Sequence, residues 1–299
     1  MSARAGRRGL VLVDKPAGLT SHDVIARLRR IYGEKRIGHA GTLDPEATGL
    51  LVVAIGNITR LLDYFQAKTK RYVGEVVFGV ETDSYDSSGT VISKSEVATL
   101  DVARLEQALA SMTGEISQLP PAISALKVKG KRLYEYHRES QEVVIKPRMV
   151  HIYSISYASG DEPNVIRIEV VCSPGTYIRS IAHDLGQALE TGAHLRNLRR
   201  LQSGSFGVEE AYELDEIEPD TIMDPASALR DFTVVGVEGA VATKAGSGSR
   251  ITLEGEQSDQ LILFNAAMGE LAEWDQLIGL FRRESAEQYR AGVVLPVIN

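Results

Sequence analysis

The chain has 299 residues, with 33 lysines and arginines against 40 aspartates and glutamates, and 43% of its residues are hydrophobic. These values are typical of a globular protein with one large domain, or with a large and a small one. The longest apolar run, residues 50–55, is far shorter than the roughly 20 residues of a membrane span, no secretory signal is found, and the single Cys172 excludes an internal disulfide, so we expect a cytoplasmic protein.

The first predicted elements are two buried strands separated by a helix and a loop. Residues 9–13 form an apolar run typical of a buried strand, and Thr20 or Ser21 supplies the N-cap oxygen of a helix that extends to Tyr32. Its apolar residues share one face, and Gly33 ends it. Residues 35–49 are predicted to form a loop, and residues 50–55 a second buried strand.

The middle of the chain shows further strand patterns and two helices. Residues 71–80 alternate as in a sheet strand, and residues 150–157 and 165–172 indicate two paired strands. Helical periodicity predicts a helix after Asp101 and another over residues 176–190. Because strands outnumber helices and hairpins join most of them, we predict an α+β fold with a mixed, largely antiparallel sheet.

A change of pattern near residue 235 predicts a domain boundary, which divides the chain into residues 1–235 and 236–299. Beyond it, short apolar runs indicate a small β-rich module. Charge is also uneven. Residues 1–72 hold 13 Lys and Arg against 6 Asp and Glu, and residues 120–200 hold 12 against 8, whereas residues 201–299 hold 6 against 18. The two basic segments either bind a polyanion such as RNA or DNA, or form ordinary solvated surface.

Sequence motifs of common cofactor and metal sites are missing. The chain lacks a P-loop, a dinucleotide-binding glycine motif, an H-E-x-x-H helix and the nucleophile elbow of hydrolases. Its six histidines are scattered. We therefore predict an activity that uses neither a metal ion nor a redox cofactor.

The most informative segment is the loop at residues 36–49, which carries Asp44. Pro45 pushes the backbone of Asp44 towards extended angles, so the carboxylate is held by a fixed loop between two core elements. Such an aspartate can act as a nucleophile or as a general acid or base. It can equally cap the turn at Pro45, which is a common role in Asp-Pro pairs. The residues alone leave both interpretations open.

A set of motifs in order resembles the tRNA pseudouridine synthase B family. The motifs are residues 14–18 (DKPAG), 38–45 (GHAGTLDP), 70–72 (KRY), 120–127 (PPAISALK), 175–179 (GTYIR) and 198–201 (LRRL). The similarity spans about residues 9–207. Enzymes of this family break the N1–C1′ bond of a uridine, turn the freed base and rejoin it through C5. The resemblance therefore implies an isomerase with a catalytic domain of pseudouridine synthase type.

The resemblance also implies a role for individual residues. Asp44 would be the catalytic carboxylate, which either attacks C1′ or takes a proton from C2′ to give a glycal, and Arg179 would pair with it. Tyr72 would stack on the target base and shuttle a proton. His39 would contact the RNA around the extruded nucleotide. The remaining residues would line the uracil pocket or shape its floor: Tyr177, Leu198, Lys15 and Pro16.

The implied partner is tRNA, bound through its T arm, with the uridine at position 55 of tRNA numbering flipped out of the T loop. The resemblance implies neither an obligate protein partner nor a membrane, and we expect a monomer. The C-terminal module would be a divergent PUA-like module, and the sequence leaves open whether it binds RNA. Contacts to RNA phosphates are expected from basic residues of the two basic segments: Arg27, Arg30, Lys127, Lys129, Lys131, Arg132, Arg196, Arg199 and Arg200.

Other functions stay open at this point. The chain could be a pseudouridine synthase for another RNA, an RNA-binding or RNA-folding module, or a glycosidase that uses Asp44 together with Glu46. The presence of Asp44, Tyr72 and Arg179 favours an enzyme, because a pure RNA-binding module has no need of a carboxylate facing phosphates. The basic surroundings of the loop suit RNA better than a neutral sugar.

Overall fold

The computed structural model describes residues 7–296, except residues 125, 129, 134, 135, 137, 138, 140 and 142. The strands of the described chain are β1 (Gly9–Lys15), β2 (Ile37–His39), β3 (Thr48–Ile55), β4 (Lys70–Phe78), β5 (Val80–Thr82), β6 (Val91–Lys94), β7 (Gly114–Gln118), β8 (Lys127–Val128), β9 (Lys131–Arg132), β10 (Arg148–Ser159), β11 (Val165–Cys172), β12 (Ala193–Ser203), β13 (Phe206–Gly207), β14 (Tyr212–Glu213), β15 (Thr233–Val237), β16 (Ile251–Thr252), β17 (Gln260–Asn265), β18 (Leu277–Arg283) and β19 (Gln288–Val294). The α-helices are α1 (Ser21–Tyr32), α2 (Leu62–Gln66), α3 (Val102–Ser111), α4 (Ile178–Ala188), α5 (Pro225–Ala228) and α6 (Gly239–Gly246).

A large mixed sheet organises the first three-quarters of the described chain. Its strands lie in the order β14-β1-β3-β12-β4-β11-β10-β7, with β2 paired to β3 and β13 to β12. The pairs β1–β14 and β3–β12 are parallel and the other pairs are antiparallel. The prediction of an α+β fold with a mixed, largely antiparallel sheet is confirmed.

Helix α1 shows how local sequence signals position the start of the site. Thr20 is its N-cap and forms a capping box with Asp23, and Gly33 ends the helix in the left-handed conformation at φ 64°. Its buried face packs on the side chains of β1 and β3 that point the same way, such as Val11 and Val53. The predicted bounds of this helix are confirmed.

Strand β12 was not predicted, although it lies at the centre of the sheet between β3 and β4. Its pairing with β4 is interrupted twice, between Arg196 and Arg199 and between Arg200 and Gln202. Asn197, inside the first interruption, has φ 53°. These β-bulges shift which side chains face each side of the sheet, so the alternation that signals a strand is lost.

The C-terminal module is a five-stranded sheet in the order β15-β17-β18-β19-β16, which confirms its predicted β-rich character. The sheet begins at Thr233, which pairs with Leu261, so the predicted boundary at residue 235 falls inside β15. The module shares one apolar cluster with the large sheet, in which Trp274 and Leu280 pack with Leu10 and Leu50. Within the described residues, no helix is long and apolar enough to cross a membrane.

Candidate active site

A cavity of about 260 Å³ opens where four parts of the large sheet domain meet. These parts are the loop before β3, the start of β4, the middle of β12 and the amino end of α4. The cavity is lined by five of the predicted site residues: Asp44, Tyr72, Tyr177, Arg179 and Leu198. Residues far apart in sequence are therefore brought together, and most of the predicted site is one physical site.

Asp44 and Arg179 form an ion pair in this cavity. Nη2 of Arg179 donates to Oδ1 of Asp44 at 3.1 Å, and Nε lies 3.0 Å from Oδ2. Arg179 is only 4% exposed, whereas 34% of the Asp44 side chain is exposed, towards the cavity. The turn after Asp44 is closed by backbone, through a bond from the Ala47 N–H to the Asp44 carbonyl. The carboxylate thus faces the cavity and its arginine instead of capping the turn.

Sequence reasoning missed Asp86, which holds the other side of the guanidinium. Its Oδ2 lies 3.3 Å from Nη1 of Arg179. The same Nη1 donates to the carbonyls of Ser84 at 2.8 Å and Ile123 at 3.0 Å. Asp86 is itself fixed, because its Oδ1 accepts bonds from the hydroxyls of Ser84 and Ser88. Asp86 lies in a short polar loop between β5 and β6, and no sequence signal connects that loop with Asp44.

Burial and the neighbouring charges shift the pKa of Asp44 in opposite directions. Burial raises the pKa of Asp44 above its ordinary value, the Arg179 guanidinium opposes that rise, and the Asp86 carboxylate adds to it. The cavity also lies at the amino end of α4, where the helix dipole favours a negative charge. An ionised Asp44 therefore depends on Arg179 and would be easily neutralised without it.

Tyr72 and Leu198 form apolar walls of the cavity, and Arg200 lies beside them. Tyr72 pairs with Arg200 across β4 and β12, and Leu198 occupies the bulge that turns its side chain into the cavity. Burial raises the pKa of the Tyr72 hydroxyl, while the charge of Arg200 lowers it. The phenol is therefore neutral at physiological pH, and the side chain lines the cavity.

Arg200 was predicted to bind RNA phosphates, but the structure places it in the protein interior. It is 1% exposed, its Nε donates to the Leu50 carbonyl at 2.7 Å and its Nη2 donates to the Gly41 carbonyl at 3.1 Å. Arginine is usually a surface residue. Only the tertiary structure reveals the carbonyls whose hydrogen bonds allow this arginine to be buried. Arg200 thus connects β12 with the loop of Asp44.

Lys70 also lines the cavity, and the sequence analysis assigned it no role. Its Nζ donates to the Ser203 hydroxyl at 2.9 Å and to the carbonyls of Phe65 and Gln66 at 3.4 and 3.3 Å. Burial, with a smaller contribution from Arg200, lowers the pKa of Lys70 to about 7. Lys70 therefore ties the end of α2 to β12 underneath the cavity.

Lys15 and Pro16 do not line this cavity, although they were predicted to shape its floor. They border a separate groove on the other side of the Asp44 loop. Lys15 is fully buried, and its Nζ donates to the carbonyls of Pro16, Leu19 and Pro45 at 2.8, 2.7 and 3.0 Å. Burial lowers its pKa to about 8. Lys15 therefore supports the site indirectly, because its Nζ holds the carbonyl of Pro45, the residue that follows Asp44.

His39 also lies outside the cavity lining. It is in β2, and its ring meets that of His22 edge to face, with centroids 5.9 Å apart. Glu46, the partner considered for a glycosidase, is exposed and does not line this cavity, although it borders a second, smaller pocket together with Asp44. Glu46 is therefore not placed opposite Asp44 across the cavity.

Most of the basic residues predicted to contact RNA are exposed or half-buried, and several are paired with carboxylates. Arg199 makes a two-point pair with Asp14, at 3.0 and 2.6 Å. The other pairs are Arg27 with Asp215, Arg196 with Glu75 and Glu162, and Lys131 with Glu139. Arg30 is exposed. The side chains of Lys127 and Arg132, and Lys129 as a whole, lie outside the described part of the structure. Exposed pairs contribute at most about 1 kcal/mol, so RNA phosphates can displace them.

The described side chains do not form a cluster that could bind a metal ion. Among the described residues, no group of three or more histidines, cysteines, aspartates or glutamates is placed to hold a metal ion. An activity without cofactor stays a prediction.

Comparison with known proteins identifies the family. Residues 29–178 match the family described as "TruB family pseudouridylate synthase (N terminal domain)", and residues 179–241 match "tRNA pseudouridylate synthase B C-terminal domain". A tRNA pseudouridine synthase B of Solibacter usitatus is 44% identical over 248 residues, which cover 80% of this chain and 84% of the relative. One from Leifsonia xyli is 40% identical over 287 residues, which cover 93% and 94%.

Solved structures agree at the level of the fold. An H/ACA ribonucleoprotein bound to a substrate RNA containing 2′-deoxyuridine includes a chain with a TM-score of 0.68 and 22% identity, matched over 97% of this chain and 85% of that one. An archaeal box H/ACA Nop10–Cbf5 complex gives a TM-score of 0.68 and 22% identity, over 98% and 88%. Together with the sequence matches, these findings show that the chain belongs to the TruB family of pseudouridylate synthases.

Proposed function

We propose that this protein isomerises uridine to pseudouridine at position 55 in the T loop of tRNA. The observation that carries the proposal is the Asp44–Arg179 ion pair, set in a cavity with Tyr72 and Leu198 on its walls. A carboxylate with a fixed cation and an adjacent aromatic ring is what the reaction needs. The carboxylate reacts at the sugar, and the ring holds the base.

The reaction exchanges one bond of the uridine for another. The N1–C1′ bond breaks, C5 bonds to C1′, the proton of C5 leaves and N1 gains a proton. Ionised Asp44 begins the sequence, either by attack on C1′ or by removal of the C2′ proton. Arg179 keeps the carboxylate charged and directed at the cavity, through its contacts at 3.0 and 3.1 Å.

The target nucleotide must leave its stack before it reaches Asp44. Asp44 lines a concave cavity in the protein, so a base has to be extruded from the RNA to reach it. Stacking on an aromatic ring contributes about 1–3 kcal/mol per base, which offsets part of the unstacking cost. We expect this contact from the ring of Tyr72, which lines the cavity.

The RNA backbone would lie on the surface around the cavity. Arg27, Arg30, Arg196 and Arg199 are exposed or half-buried on the protein surface, and Arg27 and Arg199 border the groove beside Lys15 and Pro16. Phosphates would replace the carboxylates that now pair with Arg27, Arg196 and Arg199. Four further points stay predictions: the PUA-like character of the C-terminal module, a cytoplasmic location, a monomeric state and independence of other proteins.

The test is release of tritium from tRNA labelled at C5 of uracil, with purified protein and no added metal or nucleotide. We expect release that maps to the T loop. Asp44→Ala should abolish it without loss of tRNA binding, while Glu46→Ala, which removes the exposed neighbouring carboxylate, should leave it unchanged. Tight RNA binding without release by the wild type would favour a binding module. Release from another RNA alone would identify a different substrate.

A further inference from the structure

Ser21 lies behind the loop of Asp44 and contacts it at two atoms. Its Oγ donates to the Leu43 carbonyl at 3.0 Å and accepts from the Leu43 N–H at 2.9 Å. Ser21 is 1% exposed and Leu43 is buried, so water does not compete for either bond. One hydroxyl therefore satisfies both backbone polar groups of the residue immediately before Asp44.

The residue after Asp44 is held from the same segment. The Pro45 carbonyl accepts from Lys15 Nζ at 3.0 Å and from the Gly18 N–H at 3.0 Å. Residues 15–21 thus form hydrogen bonds to the backbone of the loop on both sides of Asp44. Asp44 has freedom mainly in its side chain, and Arg179 restricts that.

Helix α1 does not need the hydroxyl of Ser21. The N-cap of this helix is Thr20, whose side chain accepts from the Asp23 N–H at 3.1 Å and donates to the Asp23 carboxylate at 2.6 Å. Ser21 is the first helical residue, and its side chain points to Leu43 instead. Alanine is the best helix former, so Ser21→Ala preserves the helix while it removes both bonds to the loop.

We propose that Ser21 is a positioning residue for the isomerisation: it fixes the backbone of Leu43 and so aims the Asp44 carboxylate at the cavity. The inference rests on the proposed function, because that function gives Asp44 its role. Reactions of this kind lose about 100-fold when a reacting group moves by about 1 Å. We therefore expect Ser21→Ala to lower the single-turnover rate by about 10- to 100-fold. Affinity for tRNA should hold, because the buried Ser21 cannot touch RNA.

The experiment measures the single-turnover rate and the dissociation constant on unmodified tRNA for the wild type, Ser21→Ala and Thr20→Ala. Thr20→Ala is the matched control, because it weakens the same helix end without touching the loop. We expect the rate to fall only in Ser21→Ala. The acidic limb of its rate–pH profile should also move to higher pH, because a displaced Asp44 pairs less well with Arg179. Equal losses in both variants, or a wild-type rate in Ser21→Ala, would overturn the proposal.

Hydrogen exchange of the wild-type protein provides a second test that does not depend on a variant folding. The Leu43 amide should exchange as slowly as the interior amides of β3. Exchange as fast as that of an exposed loop would overturn the proposal. A wild-type protein that isomerises no tRNA would refute the proposed function instead, and the Leu43 amide would still decide whether Ser21 holds the loop.

Discussion

Replacing Arg179 with methionine removes the guanidinium that contacts both Asp44 and Asp86. Methionine fills a similar volume but donates no hydrogen bonds. The two carboxylates lose their cation, and the carbonyls of Ser84 and Ile123 lose a charged donor. The folded protein would then hold two uncompensated negative charges beside one cavity.

The size of the effect follows from the burial of the three partners. Breaking a buried ion pair by removing one partner costs about 3–5 kcal/mol. Arg179 is almost fully buried, but the Asp44 side chain is 34% exposed and water screens part of its charge. We therefore expect Arg179→Met to lower the free energy of unfolding by about 3 kcal/mol at pH 7. In the control Arg199→Met, the pair with Asp14 is more exposed, and the expected loss is at most about 1 kcal/mol.

The loss should also depend on pH. Burial already raises the pKa of Asp44, and without Arg179 that pKa rises further above its unfolded value. A folded state with the higher pKa takes up more protons than the unfolded state as the pH falls, so acid stabilises it. The destabilisation by Arg179→Met should therefore shrink between pH 7 and pH 5.

Urea unfolding of the wild type and both variants at the two pH values measures these quantities. The reasoning would be refuted by a loss of less than about 1 kcal/mol in Arg179→Met, which is the range of exposed pairs. A loss of equal size at pH 5 and pH 7 would refute the assignment of the cost to the unpaired carboxylates.

Three further substitutions test the residues that support the Asp44 loop and the apolar core that the two sheets share. Burial lowers the pKa of Lys15 to about 8, so the unfolded state binds more protons above that value. Wild-type stability should therefore rise relative to Lys15→Met from pH 8 towards pH 10, and parallel urea midpoints would contradict this. Gly49→Ala should lower the free energy of unfolding by about 3 kcal/mol, because the added Cβ would lie 2.3 Å from the Arg200 carbonyl oxygen. The control Gly18→Ala should lower it by about 1–2 kcal/mol, because no atom lies within 4 Å of its added Cβ. Equal urea midpoints for the two variants would contradict the clash. Trp274→Ala should cost about 3–5 kcal/mol in thermal or urea unfolding, and a loss near zero would contradict a shared core.

The parts of the fold that could be predicted from the sequence are those with local signals. Helix α1 carries its own cap, periodic face and terminating glycine, so its bounds follow from a dozen residues. The β10–β11 hairpin is similar, because alternation and a turn lie next to each other. Strand β12 has no such local signals. Its bulges at Asn197 and Leu201 break the alternation, and its neighbours β3 and β4 lie more than 100 residues away in the sequence.

The residues of the site also fall into two groups: those that sequence motifs indicate and those that only the tertiary structure reveals. Asp44, Tyr72 and Arg179 were found through a resemblance of motifs, and the structure brings them to one cavity. Asp86 was missed because its contact with Arg179 joins a loop to the amino end of α4, 93 residues further along the chain. Arg200 was misplaced because burial is a tertiary property. The carbonyls that compensate its charge come from the Asp44 loop and β3, and no pattern within β12 reveals them.

The apolar cluster that joins the two sheets has a consequence for how the chain is made. Leu10 and Leu50 are synthesised well before Trp274 and Leu280, which cover them. At about 5–20 residues per second, the interval between residue 50 and residue 280 lasts on the order of 10–50 s. During that time the larger sheet exposes an apolar face to the cell. The nascent chain should therefore bind chaperones until synthesis ends, and a stop codon near residue 235 should yield aggregated protein instead of a smaller enzyme.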